Sequence, residues 1–108
     1  MKVIYIAGKV TGLAVDEARA LFDKPTAYLR KEGHTVINPM ELIEDPKTEW
    51  HSAMKTCIAA LVKVDAVLLL DNWEYSEGAT FEKEIAERLT IPTYTSAWLM
   101  NQHLKSLK

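Results

Sequence analysis

The strongest chemical signal in this sequence is one carboxylate. In the stretch Ser76-Glu77-Gly78-Ala79-Thr80-Phe81-Glu82, a helical rotation of about 100° per residue sets Gly78, Ile85, Ala86 and Leu89 on one side, with Phe81 at its margin. Glu82 falls inside that apolar arc, while Lys83, Glu84 and Glu87 point elsewhere. An unpaired charge aimed at apolar surroundings is costly, so it requires an explanation. Three compete: stabilisation of the helix N-terminus, pairing with a buried partner, or a catalytic carboxylate in a crevice.

Other candidates are weaker by themselves. Gly8-Lys9-Val10-Thr11-Gly12 follows an apolar run but lacks the spacing of a Walker A loop or of G-x-G-x-x-G. Its two glycines permit a tight turn and a close approach of Gly8, Lys9, Thr11 and Gly12 to a ligand, and equally a plain turn. Asp71-Asn72-Trp73 suits either ligand hydroxyls or a turn. Trp73 and Tyr75 lie in a loop where a nucleobase could stack. Asp65 is at the entry of its strand and reads as capping or packing. His34, His51 and His103 are scattered without metal-ligand spacing, so neither a metal nor a cofactor is expected. Cys57 reads as a buried small hydrophobe and has no second cysteine to pair with.

The elements that must position these groups follow from apolar patterning. Val3-Ile-Tyr-Ile-Ala7 and Ala66-Val-Leu-Leu-Leu70 are continuously apolar, as in parallel strands covered on both faces. Thr35-Val-Ile37 is punctuated by Gly33-His34 before it and Asn38-Pro39 after it; Pro92-Thr-Tyr-Thr95 is a fourth, shorter strand. Helices are predicted over about 15–31, with a kink or break at Pro25, and over 48–62, from residue 77 or 78 to 89, and over 97–107. Trp50, Met54, Ile58 and Leu61 share a face of the second. The alternation predicts an α/β fold, a doubly wound parallel sheet of four to five strands of flavodoxin or Rossmann type. Ligands in such sheets bind beyond the carboxyl ends of the strands. That gathers residues 8–12, Asn38 to Met40, and Asp71 to Gly78 around one crevice.

Composition sets the outer bounds. A length of 108 residues suits a single domain spanning 1–108, and 48% hydrophobic residues suffice for a core. So short a chain buries a modest share of its surface, which favours a homo-oligomer. The net charge of -2, without a basic run, gives no footprint for a nucleic-acid polymer. No run approaches a membrane span, and the short apolar start does not fit a signal peptide, so a cytoplasmic protein is expected.

Taken in order, Tyr5-Ile-Ala-Gly8, Gly33-His34 with a strand ending in Asn38-Pro39, Asp65-Ala-Val-Leu-Leu-Leu70, and Ser76-Glu-Gly-Ala-Thr-Phe-Glu82 resemble the nucleoside 2-deoxyribosyltransferase-like superfamily. More narrowly, the chain resembles the small phage and bacterial proteins of the DUF4406 family, over residues 2 to about 94. The resemblance implies a nucleoside 2-deoxyribosyltransferase-like fold and cleavage or transfer of an N-glycosidic bond in a small-molecule nucleoside or nucleotide. It implies that Glu82 attacks the anomeric carbon and that Tyr5 positions it. Ser76 matches a branch in which a hydroxyl helps hold a 5′-phosphate, which points to a nucleoside monophosphate. Asn38, Asp71, Trp73, Glu77 and Gly78, gathered at the crevice by the strand order, complete the expected binding wall. One departure is notable: Cys57 occupies a position that the superfamily gives to an Asp. A thiol does not match a carboxyl as a proton donor. The alternative is a decayed relative that binds a nucleotide-like ligand without turnover.

Overall fold

A computed structural model describes residues 2–106. Four strands, β1 (Val3–Ala7), β2 (Thr35–Ile37), β3 (Ala66–Leu69) and β4 (Thr93–Tyr94), form one fully parallel sheet in the order β2-β1-β3-β4. The chain winds outward from β1 in one direction and from β3 in the other. The strand order therefore reverses between them, and their carboxyl ends flank the expected crevice. Tyr5 pairs with Val67 and Ala7 with Leu69 across that junction.

Five helices cover the sheet: α1 (Val15–Lys31), α2 (Pro39–Leu42), α3 (Trp50–Leu61), α4 (Glu77–Arg88) and α5 (Ala97–Ser106). Side chains alternate along β1, so it contributes to two cores. Ile4 and Ile6 join Phe22 and Leu29 of α1 and Met100 and Leu104 of α5. Tyr5 and Ala7 join Cys57 and Leu61 of α3 and Ala79 and Ala86 of α4. No described helix is long and apolar enough to cross a membrane.

Several local expectations need correction. Of the two outcomes expected at Pro25, the break does not occur: the first helix is continuous from Val15 to Lys31. The interior proline costs about 3 kcal/mol, offset by the buried face of Ala18, Phe22 and Leu29 on either side of it. Asn38-Pro39 does more than end β2. Asn38 caps α2 by accepting from the Met40 N–H at 2.9 Å, with Pro39 in the first turn where a missing donor costs nothing. Residues 73–75 form a short 3-10 turn. The expected end of the last helix at residue 107 lies outside the described residues.

Two helices end in the same six-residue closure with different residues at its left-handed position. After α1, Gly33 has φ +97°, its N–H reaches Arg30 O, and the His34 N–H reaches Leu29 O. After α4, Thr90 has φ 58°, its N–H reaches Glu87 O, and the Ile91 N–H reaches Ala86 O. Both are Schellman caps.

Candidate active site

β1 delivers Tyr5 and α4 delivers Glu82 to one point beneath the sheet's carboxyl edge. The buried residues of α4 are Ala79, Glu82 and Ala86, so Glu82 is at the centre of the inward face. Leu89 and Phe81 are instead about half exposed. The helix is rotated by roughly one position from the apolar arc that the sequence suggests, and this rotation brings Glu82 further inward. Ser76 starts the helix, its Oγ accepting from the Ala79 N–H at 3.0 Å.

Tyr5 Oη donates to Glu82 Oε2 at 2.5 Å. Tyr5 is fully buried and Glu82 is 5% exposed. Burial holds the Glu82 carboxyl up at about 7, against the opposing pull of the Tyr5 hydrogen bond. Burial, and then the charge of Glu82, raises the Tyr5 hydroxyl well above the usual phenol range. Among the described residues, Glu82 Oε1 has no hydrogen-bond partner. The pair thus uses one carboxylate oxygen for anchoring and leaves the other free.

That free oxygen faces a cleft of about 510 Å³ lined by Tyr5, Gly8, Lys9, Thr11, Ser76, Glu77, Gly78 and Glu82, among others. Two bonds cross beside it: the Lys9 N–H donates to Asn72 Oδ1 at 3.0 Å and Lys9 Nζ to the Tyr75 carbonyl at 3.0 Å. These two bonds tie the loop after β1 to the loop after β3. A Cβ on Gly8 would lie 2.6 Å from Leu70 Cδ1, so this glycine serves close packing of those loops.

Four residues expected at the cleft are not in its wall. Asn38 is buried as the α2 cap, and its amide donates to Asp23 Oδ1 at 3.1 Å. Asp71 is exposed at the end of β3. Trp73 turns away, with Lys83 Nζ 5.2 Å from its ring centroid. Gly12 forms the turn, with φ +91°. Asp65 accepts from the Val3 N–H at 2.8 Å, far from the cleft.

The resemblance pointed to Cys57, but the sequence reading did not expect Trp50 and Met54 at the cleft. Trp50, Met54 and Cys57 of α3 all line the cleft, four and three residues apart on one helical face. Cys57 and Leu61, rather than Ile58, are the buried residues of α3. A Cβ on Gly78 would lie 3.1 Å from Met54 Sδ, so α3 and α4 approach closely here. Burial pushes the Cys57 thiol up, with Tyr5 acting in the opposite sense.

This α/β architecture is shared with a solved 2-deoxyribosyltransferase. The chain is similar to the solved 2-deoxyribosyltransferase of the psychrotolerant bacterium Bacillus psychrosaccharolyticus, with 22% identity and a TM-score of 0.64, covering 84% of this chain and 69% of that one. At this identity the likeness shows the fold. The chain belongs to the DUF4406 family, a domain of unknown function, which matches residues 2–95. No curated protein matches the sequence.

Proposed function

We propose that this protein breaks or transfers the N-glycosidic bond of a nucleoside or nucleotide, with Glu82 as the nucleophile. The observation that carries the reading is the buried Glu82 carboxylate, anchored through Oε2 by Tyr5 and open to the cleft through Oε1. The solved relative named above is a 2-deoxyribosyltransferase, and it supports the same class of chemistry. Glu82 Oε1 attacks the anomeric carbon as the bond to the base breaks. Water or a second base then displaces the carboxylate.

A 5′-phosphate suits the part of the cleft bordered by Ser76 and the loop after β1. Ser76 keeps its hydroxyl hydrogen for a ligand while its oxygen caps α4, and the first N–H groups of that helix favour an anion. Lys9 and Thr11 stand on the facing loop. A nucleoside monophosphate is therefore the favoured substrate. The test is release of free base from deoxynucleoside 5′-monophosphates by the wild type and by Glu82→Ala. Equal background release by both proteins across the common bases would sink the reading.

Capture of a nucleotide without turnover is a second reading, favoured by the Cys57 thiol at the cleft wall beside the Tyr5–Glu82 pair. Saturable binding in calorimetry, with no base released, would support it over the first.

A further inference from the structure

We propose that the preferred substrates are N-glycosides whose base carries a positive charge in the ring bonded to the sugar, such as pyridinium or N7-alkylpurine nucleotides. The inference rests on the N-glycosidic reading above and narrows it to one class of leaving group.

A neutral base leaves as a poor, anionic group unless an acid protonates it. Among the described residues that line the cleft, none is placed to do so from a buried, proton-holding position beside Glu82. Tyr5 donates its hydroxyl hydrogen to Glu82 Oε2, and its burial makes it a weaker acid still. The Cys57 thiol is likewise weakened by burial. Lys9 Nζ is bonded to the Tyr75 carbonyl at the mouth. Glu82 must itself be ionised to attack. Glu77 stands exposed at the entrance, on the first turn of α4.

The same wall suits a cation. Two carboxylates, Glu77 and Glu82, and two aromatic side chains, Trp50 and Tyr75, border one space, against one cation, Lys9, whose ammonium is bonded to the Tyr75 carbonyl. A delocalised cation gains from aromatic faces and from opposite charge together. Beyond Trp50 and Glu77 the cleft passes into a shallow groove with Trp73, Phe81, Glu84 and Glu87. In that groove an ammonium is already held over an indole, that of Lys83 over Trp73. A positive base near Glu82 also favours the ionised form that the attack requires.

The step balances without an acid. Glu82 Oε1 forms a bond to the anomeric carbon, and the electron pair of the C–N bond passes to the ring nitrogen. The positive charge is thereby cancelled, and the base leaves neutral. Water then attacks the same carbon, the ester bond breaks to restore the carboxylate, and one proton goes to solvent. Hydrolysis of a neutral base releases no net proton, because the departing base takes it up.

The decisive comparison uses 7-methyl-2′-deoxyguanosine 5′-monophosphate and nicotinamide mononucleotide against 2′-deoxyguanosine 5′-monophosphate. Each rate is divided by its own spontaneous rate, with Glu82→Ala as the enzyme blank. The expected acceleration is at least about 100-fold larger for one or both cationic substrates than for the neutral one. In weak buffer, one proton appears per cationic base released. Glu77→Gln should raise KM for the cationic substrate about 10-fold and leave kcat within about threefold. Equal acceleration of neutral and cationic substrates overturns the proposal and leaves the N-glycosidic reading standing. So does a collapse of kcat on the neutral substrate in Glu77→Gln, which would make Glu77 the missing acid. Absence of Glu82-dependent release from all three overturns both.

Discussion

The two faces of the sheet each bury polar side chains, and they treat them in opposite ways. On the α1/α5 face, the His34 Nε2–H donates to Asn101 Oδ1 at 2.8 Å, a tautomer assigned from the network. The Asn101 amide donates to Glu32 Oε1 at 2.9 Å, and Lys105 Nζ meets the same oxygen at 2.6 Å. The chain of bonds runs from a fully buried amide to solvent and ends in neutralised charge. On the α3/α4 face, the polar chain has two members, Tyr5 and Glu82, and stops at an open cleft. The network that runs out to solvent fixes α5 to α1, with His34 Nδ1 as its one buried atom without a partner among the described residues. The Tyr5–Glu82 pair instead leaves a carboxylate oxygen open to the cleft and available to a ligand, and the buried charge costs stability to keep.

Replacing Glu82 should separate the faces most sharply. Glu82→Gln should reduce base release by about 10³-fold or more, since an amide cannot form the glycosyl ester. It should also stabilise the fold at neutral pH. The Glu82 carboxyl is raised from 4.5 to about 7 in the native state, so its contribution is fully present below pH 4.5 and is lost as pH rises through 7. The loss is of the order of 3 kcal/mol. Urea unfolding at pH 5 and pH 8 should therefore show the variant gaining on the wild type as pH increases. A constant gap would mean that Glu82 is not carrying a buried charge.

The opposite face should respond in stability alone. Asn101→Leu removes the acceptor of His34 and a donor to Glu32, at a cost of about 2–3 kcal/mol. Base release per folded molecule should be unchanged. Loss of activity in proportion to Glu82→Gln would erase the distinction between a latch and a site.

Tyr5→Phe should have a smaller effect, about 10- to 30-fold in kcat/KM, with the nucleophile present but less well placed. Its diagnostic readout is the pH profile. The Tyr5 hydrogen bond lowers the Glu82 carboxyl, so removing it should move the acidic limb of kcat/KM to higher pH. An unchanged limb would assign the titration to another group.

Glu82 was legible in the sequence because a charge inside a helical apolar arc violates a simple pattern. The parallel strands were legible because both faces are covered and their residues are uniformly apolar. The apolar pattern of α3 did not show its cleft wall, although the resemblance singled out Cys57: Cys57 and Ile58 are adjacent, 100° apart, and both fall near the edge of the same apolar stripe. Only packing against α4 decides between them. The Lys9–Tyr75 bond joins residues 66 apart, and no periodicity reports on it. Asn38-Pro39 ends a strand and caps a helix with the same two residues, so the sequence showed the boundary and hid α2. Trp73 followed a strand end toward the crevice on paper, but the 3-10 turn at 73–75 directs it to Lys83.

The smallest predicted effect concerns the ends of the two helices that define the faces. α1, which belongs to the closed face, ends on Gly33 at φ +97°, where the absence of a Cβ relieves the clash of the left-handed region. α4, which carries Glu82, ends on Thr90 at φ 58° in the same hydrogen-bonded closure. A β-branched residue in that region costs of the order of 1 kcal/mol or more. Thr90→Gly should therefore stabilise the protein by about 1 kcal/mol, even after the entropy that glycine adds to the unfolded chain. Thr90 lies eight residues beyond Glu82 at the far end of α4, so relief of strain that is merely local leaves base release unaltered. If Thr90→Gly gains stability and loses kcat together, the strained cap is helping to set how α4 presents Glu82 to the cleft, and the open face extends the full length of its helix.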